Sequence, residues 1–96
     1  MIEFNKMSYA EMVEHAIIGV PNEVCGYLAG VNDVISRVYK MTNVSDTPET
    51  FFYFDQKEMF KVLKESRAEG LRLLGVYHSH PLGGNKPSVS DKEILK

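Results

Sequence analysis

Two strand-like runs, Glu23 to Val31 and Val34 to Met41, meet across the dipeptide Asn32-Asp33, and no other feature restricts the fold of this chain as much. Both runs are rich in aliphatic and aromatic residues, which suit pleated, partly covered backbone. Asn and Asp tolerate the left-handed conformation that a two-residue hairpin turn demands, so the runs are expected to pair antiparallel.

Around this hairpin the chain alternates helical and extended patterns. Ser8-Tyr-Ala-Glu11 has capping-box spacing, and Met12, Ala16 and Ile17 then recur at helical period until Pro21, predicting a first helix over 8–19. Asn43 to Glu49 is a polar loop, followed by a short aromatic strand candidate from Thr50 to Phe54. From Asp55, Met59, Phe60, Val62 and Leu63 form a helical stripe up to Gly70, a suitable C-cap. Leu71 to His78 is mostly apolar and is stopped by Pro81, as a strand covered on both faces would be. Ser90-Asp91-Lys92-Glu93 has the spacing to open another helix, with barely a turn left before Lys96.

At 96 residues and a formal net charge of -2, the chain reads as one small globular domain with no basic field for nucleic acid. No apolar run approaches a membrane span, and Met1 to Ala10 lacks the pattern of a signal peptide, so a cytoplasmic location is expected. With one cysteine, Cys25, an internal disulfide is impossible and a reducing compartment is the natural setting. Cys25 lies in a small, apolar stretch, Val24 to Gly30, and reads as core filling ahead of a nucleophile.

The chemistry concentrates in His78-Ser-His-Pro-Leu-Gly-Gly-Asn-Lys-Pro-Ser-Val-Ser-Asp91. His78 and His80, two residues apart at a strand end, send both imidazoles from one face. Asp91, swinging back across the loop, adds an oxygen ligand and leaves the fourth position of a tetrahedral zinc open, as catalysis requires. Plainer readings compete. Paired histidines are commonly hydrogen-bonded core or surface residues, Ser88 and Asp91 can simply start a helix, and Glu23 by itself is a surface charge on an edge strand. His15, beside Glu11 and Glu14, belongs to a solvated helix face. Gly83-Gly84 and Lys86 lack the order of a phosphate-binding loop, and a single cysteine cannot build a zinc deaminase site.

Glu23 at the start of its strand, followed much later by His-Ser-His-Pro, six residues and Ser-x-x-Asp, resembles the JAMM (MPN-plus) metalloproteases, and the resemblance covers nearly the whole chain. It implies an α+β domain, a curved, mixed but mainly antiparallel sheet flanked by helices with cytidine-deaminase-like layering. It implies zinc on His78, His80 and Asp91, with Glu23 touching the water rather than the metal and moving its proton to the leaving amine. Ser88 is implied as the donor to the oxyanion. The implied reaction is hydrolysis of an amide after the C-terminal tail of a ubiquitin-like or sulfur-carrier protein, as in the compact prokaryotic members. The alternative is a non-catalytic, zinc-binding interaction scaffold of the same fold. Family domains generally continue past the metal loop, whereas five residues follow Asp91 here, so the domain is expected to lack its C-terminal helix and strands.

Overall fold

The computed structural model describes residues 2–81 in full and the backbone of residues 88–91. The elements run β1 (Glu3–Phe4), α1 (Lys6–Gly19), β2 (Cys25–Val31), β3 (Val34–Met41), α2 (Gln56–Ala68), β4 (Arg72–His78) and β5 (Ser88–Asp91). They form a five-stranded sheet in the order β1-β3-β2-β4-β5. Only β1 and β3 are parallel; the other neighbours are antiparallel. The expected α+β class with a mixed, mainly antiparallel sheet is what forms.

The hairpin closes as the sequence requires. Asn32 and Asp33 have φ of 53° and 63°, and Val31 pairs with Val34 across them. The register of β2 shifts at Ala29/Gly30 against β3 and at Leu28/Ala29 against β4, and such bulges bend and twist a strand.

Alternation along the strands splits the core into two layers. On one face, Met12 and Ala16 of α1 pack with Val24, Leu28, Ile35, Val38 and Tyr77. On the other, Val62 of α2 packs with Cys25, Ala29, Tyr39 and Met41, with Phe52 and Phe54 against them. Tyr77 is fully buried. Its ring crosses Gly26 so closely that any side chain there would overlap it, so the two central strands lock through an absent Cβ.

Several local expectations change. The helix α1 is capped by Asn5, whose Oδ1 accepts the Ser8 N–H at 2.8 Å, and Ser8 itself is buried inside the helix. The chain leaves the sheet at Asn5, where the Asn5 N–H still donates to Ile35 O at 2.9 Å, so the helix must begin there rather than at Ser8. Ile17, 63% exposed, lies off the buried line that Met12 and Ala16 define one turn apart. Helix α2 is bracketed as expected, since Asp55 accepts the Lys57 and Glu58 N–H groups and Gly70 takes φ 73° beyond the last turn, but of the expected stripe Val62 is buried while Phe60 and Leu63 are exposed.

Thr50 to Phe54 contributes only an isolated Asn43–Phe54 bridge, because Thr47 O takes the N–H groups of Thr50 and Phe51 and thereby turns the chain. Ser90 and Asp91, expected to start a helix, instead lie in β5 against β4. The ladder offered by β4 competes with a one-turn helix whose nucleation is costly. His15 is not on a solvated face: its Nδ1 lies 2.7 Å from the Tyr77 hydroxyl, with the rings edge to face. Among the described residues, no helix is long and apolar enough to cross a membrane.

Candidate metal centre

Glu23 stands two residues ahead of β2, which is an interior strand between β3 and β4. It is therefore not the edge charge of the plain reading; it is only 7% exposed. Every backbone polar group of Glu23 and Val24 has a partner outside any ladder. Glu23 N–H donates to Pro48 O at 2.7 Å, and Asn43 Nδ2 donates to Glu23 O at 2.9 Å. Val24 N–H donates to Ser79 Oγ at 2.9 Å, while Ser79 N–H returns to Val24 O at 3.0 Å. These bonds explain why β2 begins only at Cys25, two residues later than expected.

This pinning decides where the side chains point. Val24 sits in the layer beneath α1, so alternation turns Glu23 and Cys25 to the opposite face. Cys25 pairs with His78 across the ladder, which brings His78 to that same face. The strand ends at His78, yet the Ser79–Val24 pair holds the chain straight enough for His80 to follow. The two imidazoles lie 4.4 Å apart between centroids, edge to face. Phe52 stacks on His78 at 4.7 Å and 23°. Ligand atoms of Glu23, His78 and His80 all lie within 4.8 Å of one another.

One carboxylate oxygen and two ring nitrogens form a donor set suited to a divalent transition metal. Burial, and after it the neighbouring His80, push the His78 imidazole below its ordinary range, with Glu23 acting the other way. Neutral imidazole is the form that ligates. Cys25, fully buried, is excluded as a nucleophile: burial first, then Glu58 and Glu23, raise its thiol to about 12.

The register of β5 sets Ser88 opposite His78 and Asp91 opposite Gly75. Their side chains, and the loop 82–87 with Gly83, Gly84 and Lys86, fall outside the described residues. The geometry therefore unites Glu23, His78 and His80, and it brings the backbone of Ser88 beside them. Three supporting residues escaped the sequence reading: Ser79, Asn43 and Phe52. The signal available was that Ser79, between two site histidines, must point to the opposite face.

Residues 6–96 match the family described as prokaryotic homologs of the JAB domain. The chain belongs to this JAB-domain family. JAB-domain relatives include a probable TtuB-protein conjugate cleaving protease of Thermus thermophilus, 40% identical over 77 residues, covering 80% of this chain and 51% of the relative. A desampylase of Haloferax volcanii is 35% identical over 75 residues, 76% of this chain and 54% of the relative. A CysO-cysteine peptidase of Mycobacterium tuberculosis is 35% identical over 85 residues, 86% of this chain and 58% of the relative. The chain thus spans a little over half the length of these curated relatives. A solution structure of a Desulfitobacterium hafniense protein superposes with a TM-score of 0.78 at 37% identity, covering 98% of this chain and 66% of that one. The compact prokaryotic JAMM type expected from the motif is the family found.

Proposed function

We propose that this JAB-domain chain is a zinc-dependent peptidase that hydrolyses the amide joining the C-terminal tail of a ubiquitin-like or sulfur-carrier protein to its adduct. The observation that carries the reading is the convergence of Glu23, His78 and His80 ligand atoms within 4.8 Å, on backbone pinned by the Val24–Ser79 pair. The relatives' names, which refer to TtuB conjugates, desampylation and CysO, support the substrate class.

His78 and His80 hold the ion; the Ser-x-x-Asp spacing offers Asp91 as the third ligand, which requires β5 to leave the register that sets the Asp91 backbone opposite Gly75, three residues from His78. Zinc, when bound, supplies Lewis-acid polarisation of the scissile carbonyl and acidifies a water at neutral pH. Glu23 accepts the proton of the attacking water and later delivers it to the leaving amine. Glu23 suits that task because four hydrogen bonds hold the backbone of Glu23 and Val24 from which its side chain projects, so little remains to be organised during the reaction. Ser88, opposite His78 in the ladder, donates a hydrogen bond to the oxygen on which charge develops.

The test is hydrolysis by zinc-loaded protein of an amide conjugate of a ubiquitin-like protein ending in Gly-Gly. Glu23→Gln is expected to retain zinc and lose activity by at least about 100-fold, whereas Asp91→Ala is expected to lose zinc. Zinc retention by wild type with no cleavage of conjugates returns the chain to the interaction-scaffold reading.

A further inference from the structure

We infer that Asn43 is the positioning residue that sets Glu23 and His78 relative to one another. Its amide is spent on two segments at once. Nδ2 donates to Glu23 O at 2.9 Å and to Phe51 O at 3.0 Å, with Pro48 O at 3.4 Å. Oδ1 accepts the N–H groups of Ser45 at 3.0 Å and Tyr53 at 3.3 Å. Phe51 and Tyr53 are the two chain neighbours of Phe52, the ring stacked on His78. Pro48, also within reach of Nδ2, is the residue whose carbonyl takes the Glu23 N–H.

One half-buried side chain therefore grips the backbone from which Glu23 projects and both flanks of the ring that supports His78. The job requires two N–H donors and an accepting oxygen on one short planar group, and Asn alone among residues of that length supplies them. Asp keeps the acceptor and loses both donors. Ser and Ala lose the span. Asn43 touches neither substrate nor metal; it acts through Glu23 and Phe52, as outer partners of metal ligands commonly do.

This inference rests on the metal-centre reading above, and its test separates the two. Zinc affinity is measured by competition with a chromophoric chelator, the visible spectrum is recorded on cobalt(II)-substituted protein, and kcat and KM are measured on the Gly-Gly conjugate. Asn43→Ala is expected to weaken zinc binding about 10- to 100-fold, to shift the cobalt spectrum, and to lower kcat with a smaller change in KM. Phe52→Leu is expected to reproduce the effects on zinc and on the spectrum, since it removes the stack on His78. Ile35→Ala, a core variant whose residue pairs with Gly30 far from the Cys25–His78 pair, is expected to lower Tm and leave zinc affinity and the spectrum unchanged.

Wild-type zinc affinity and an unchanged cobalt spectrum in Asn43→Ala overturn the inference, as does an equal effect in Ile35→Ala. If Asn43→Ala does not fold, the side-chain amide resonances of Asn43 in wild type decide the matter. They are expected to move on zinc addition, and resonances that stay fixed at saturation overturn it. A wild type that binds zinc but is inert defeats the proposed activity, and the zinc and cobalt readouts still judge Asn43. A wild type that binds no zinc defeats both.

Discussion

Val24 and Ser79 exchange two hydrogen bonds, Val24 N–H to Ser79 Oγ at 2.9 Å and Ser79 N–H to Val24 O at 3.0 Å, and so fix the segment bearing Glu23 against the one bearing both histidines. Ser79 is 4% exposed, and its truncation strands a buried Val24 N–H. Ser79→Ala is expected to cost about 1–3 kcal/mol of stability, read by chemical denaturation, and to weaken zinc binding by about tenfold or more. Ser79→Thr keeps the acceptor and is expected to stay near wild type. An alanine variant with wild-type zinc affinity means that the pair does not position the site.

Metal removal gives a separate prediction. An ion that binds only the folded chain raises its stability by mass action. Zinc is therefore expected to raise Tm of wild type, EDTA to reverse the rise, and His80→Ala to abolish it without a large fall in the metal-free Tm. Equal zinc-induced shifts in wild type and His80→Ala would remove His80 from the ligand set.

The Cys25 thiol, raised to about 12 and fully buried, presents almost no thiolate at neutral pH. Native protein is expected to resist iodoacetamide and to react fully once unfolded. Cys25→Ala should retain more than about half of the activity. Rapid native labelling would contradict the packing described.

Gly26 offers a test of the core that does not involve the site chemistry. A Cβ at this position meets the Tyr77 ring, and Tyr77 is walled in on the α1 side. Gly26→Ala is expected to destabilise the fold by about 1–3 kcal/mol through overpacking, seen as a lower denaturation midpoint. A neutral result would show that the tyrosine can yield.

His15 makes stability depend on pH. Burial, and then Lys40, hold its imidazole below the ordinary value of 6.5, and its Nδ1 faces the Tyr77 hydroxyl. Below 6.5 the unfolded chain takes up a proton that folded His15 still refuses. Its contribution is thus complete above 6.5 and is lost as pH falls through the interval down to the folded value. The Tm of wild type relative to His15→Gln is expected to fall between about pH 7 and pH 5. A difference constant across that range would refute the assignment.

Much of this protein is written in local sequence. Asn32-Asp33 dictates the hairpin because few dipeptides tolerate two positive φ angles, β3 spans the residues expected of it, and Asp55 and Gly70 bracket α2 through their own caps. The spacing of His78, Ser79 and His80 likewise offers two imidazoles to one face, although β4 ends at His78 and the Ser79–Val24 pair carries the extended chain on to His80. Tertiary structure decided the rest. Whether Glu23 was an edge charge or a buried neighbour of the histidines depended on β2 lying between β3 and β4 and on Ser79, 55 residues away in sequence, reaching Val24. Asn5 displaced Ser8 as a cap because the sheet held the chain until that residue. Ser90 and Asp91 became strand because β4 had an edge to offer. A sequence states what each residue can do over a few neighbours; which long-range partner takes up its free hydrogen bonds is settled only when the chain closes.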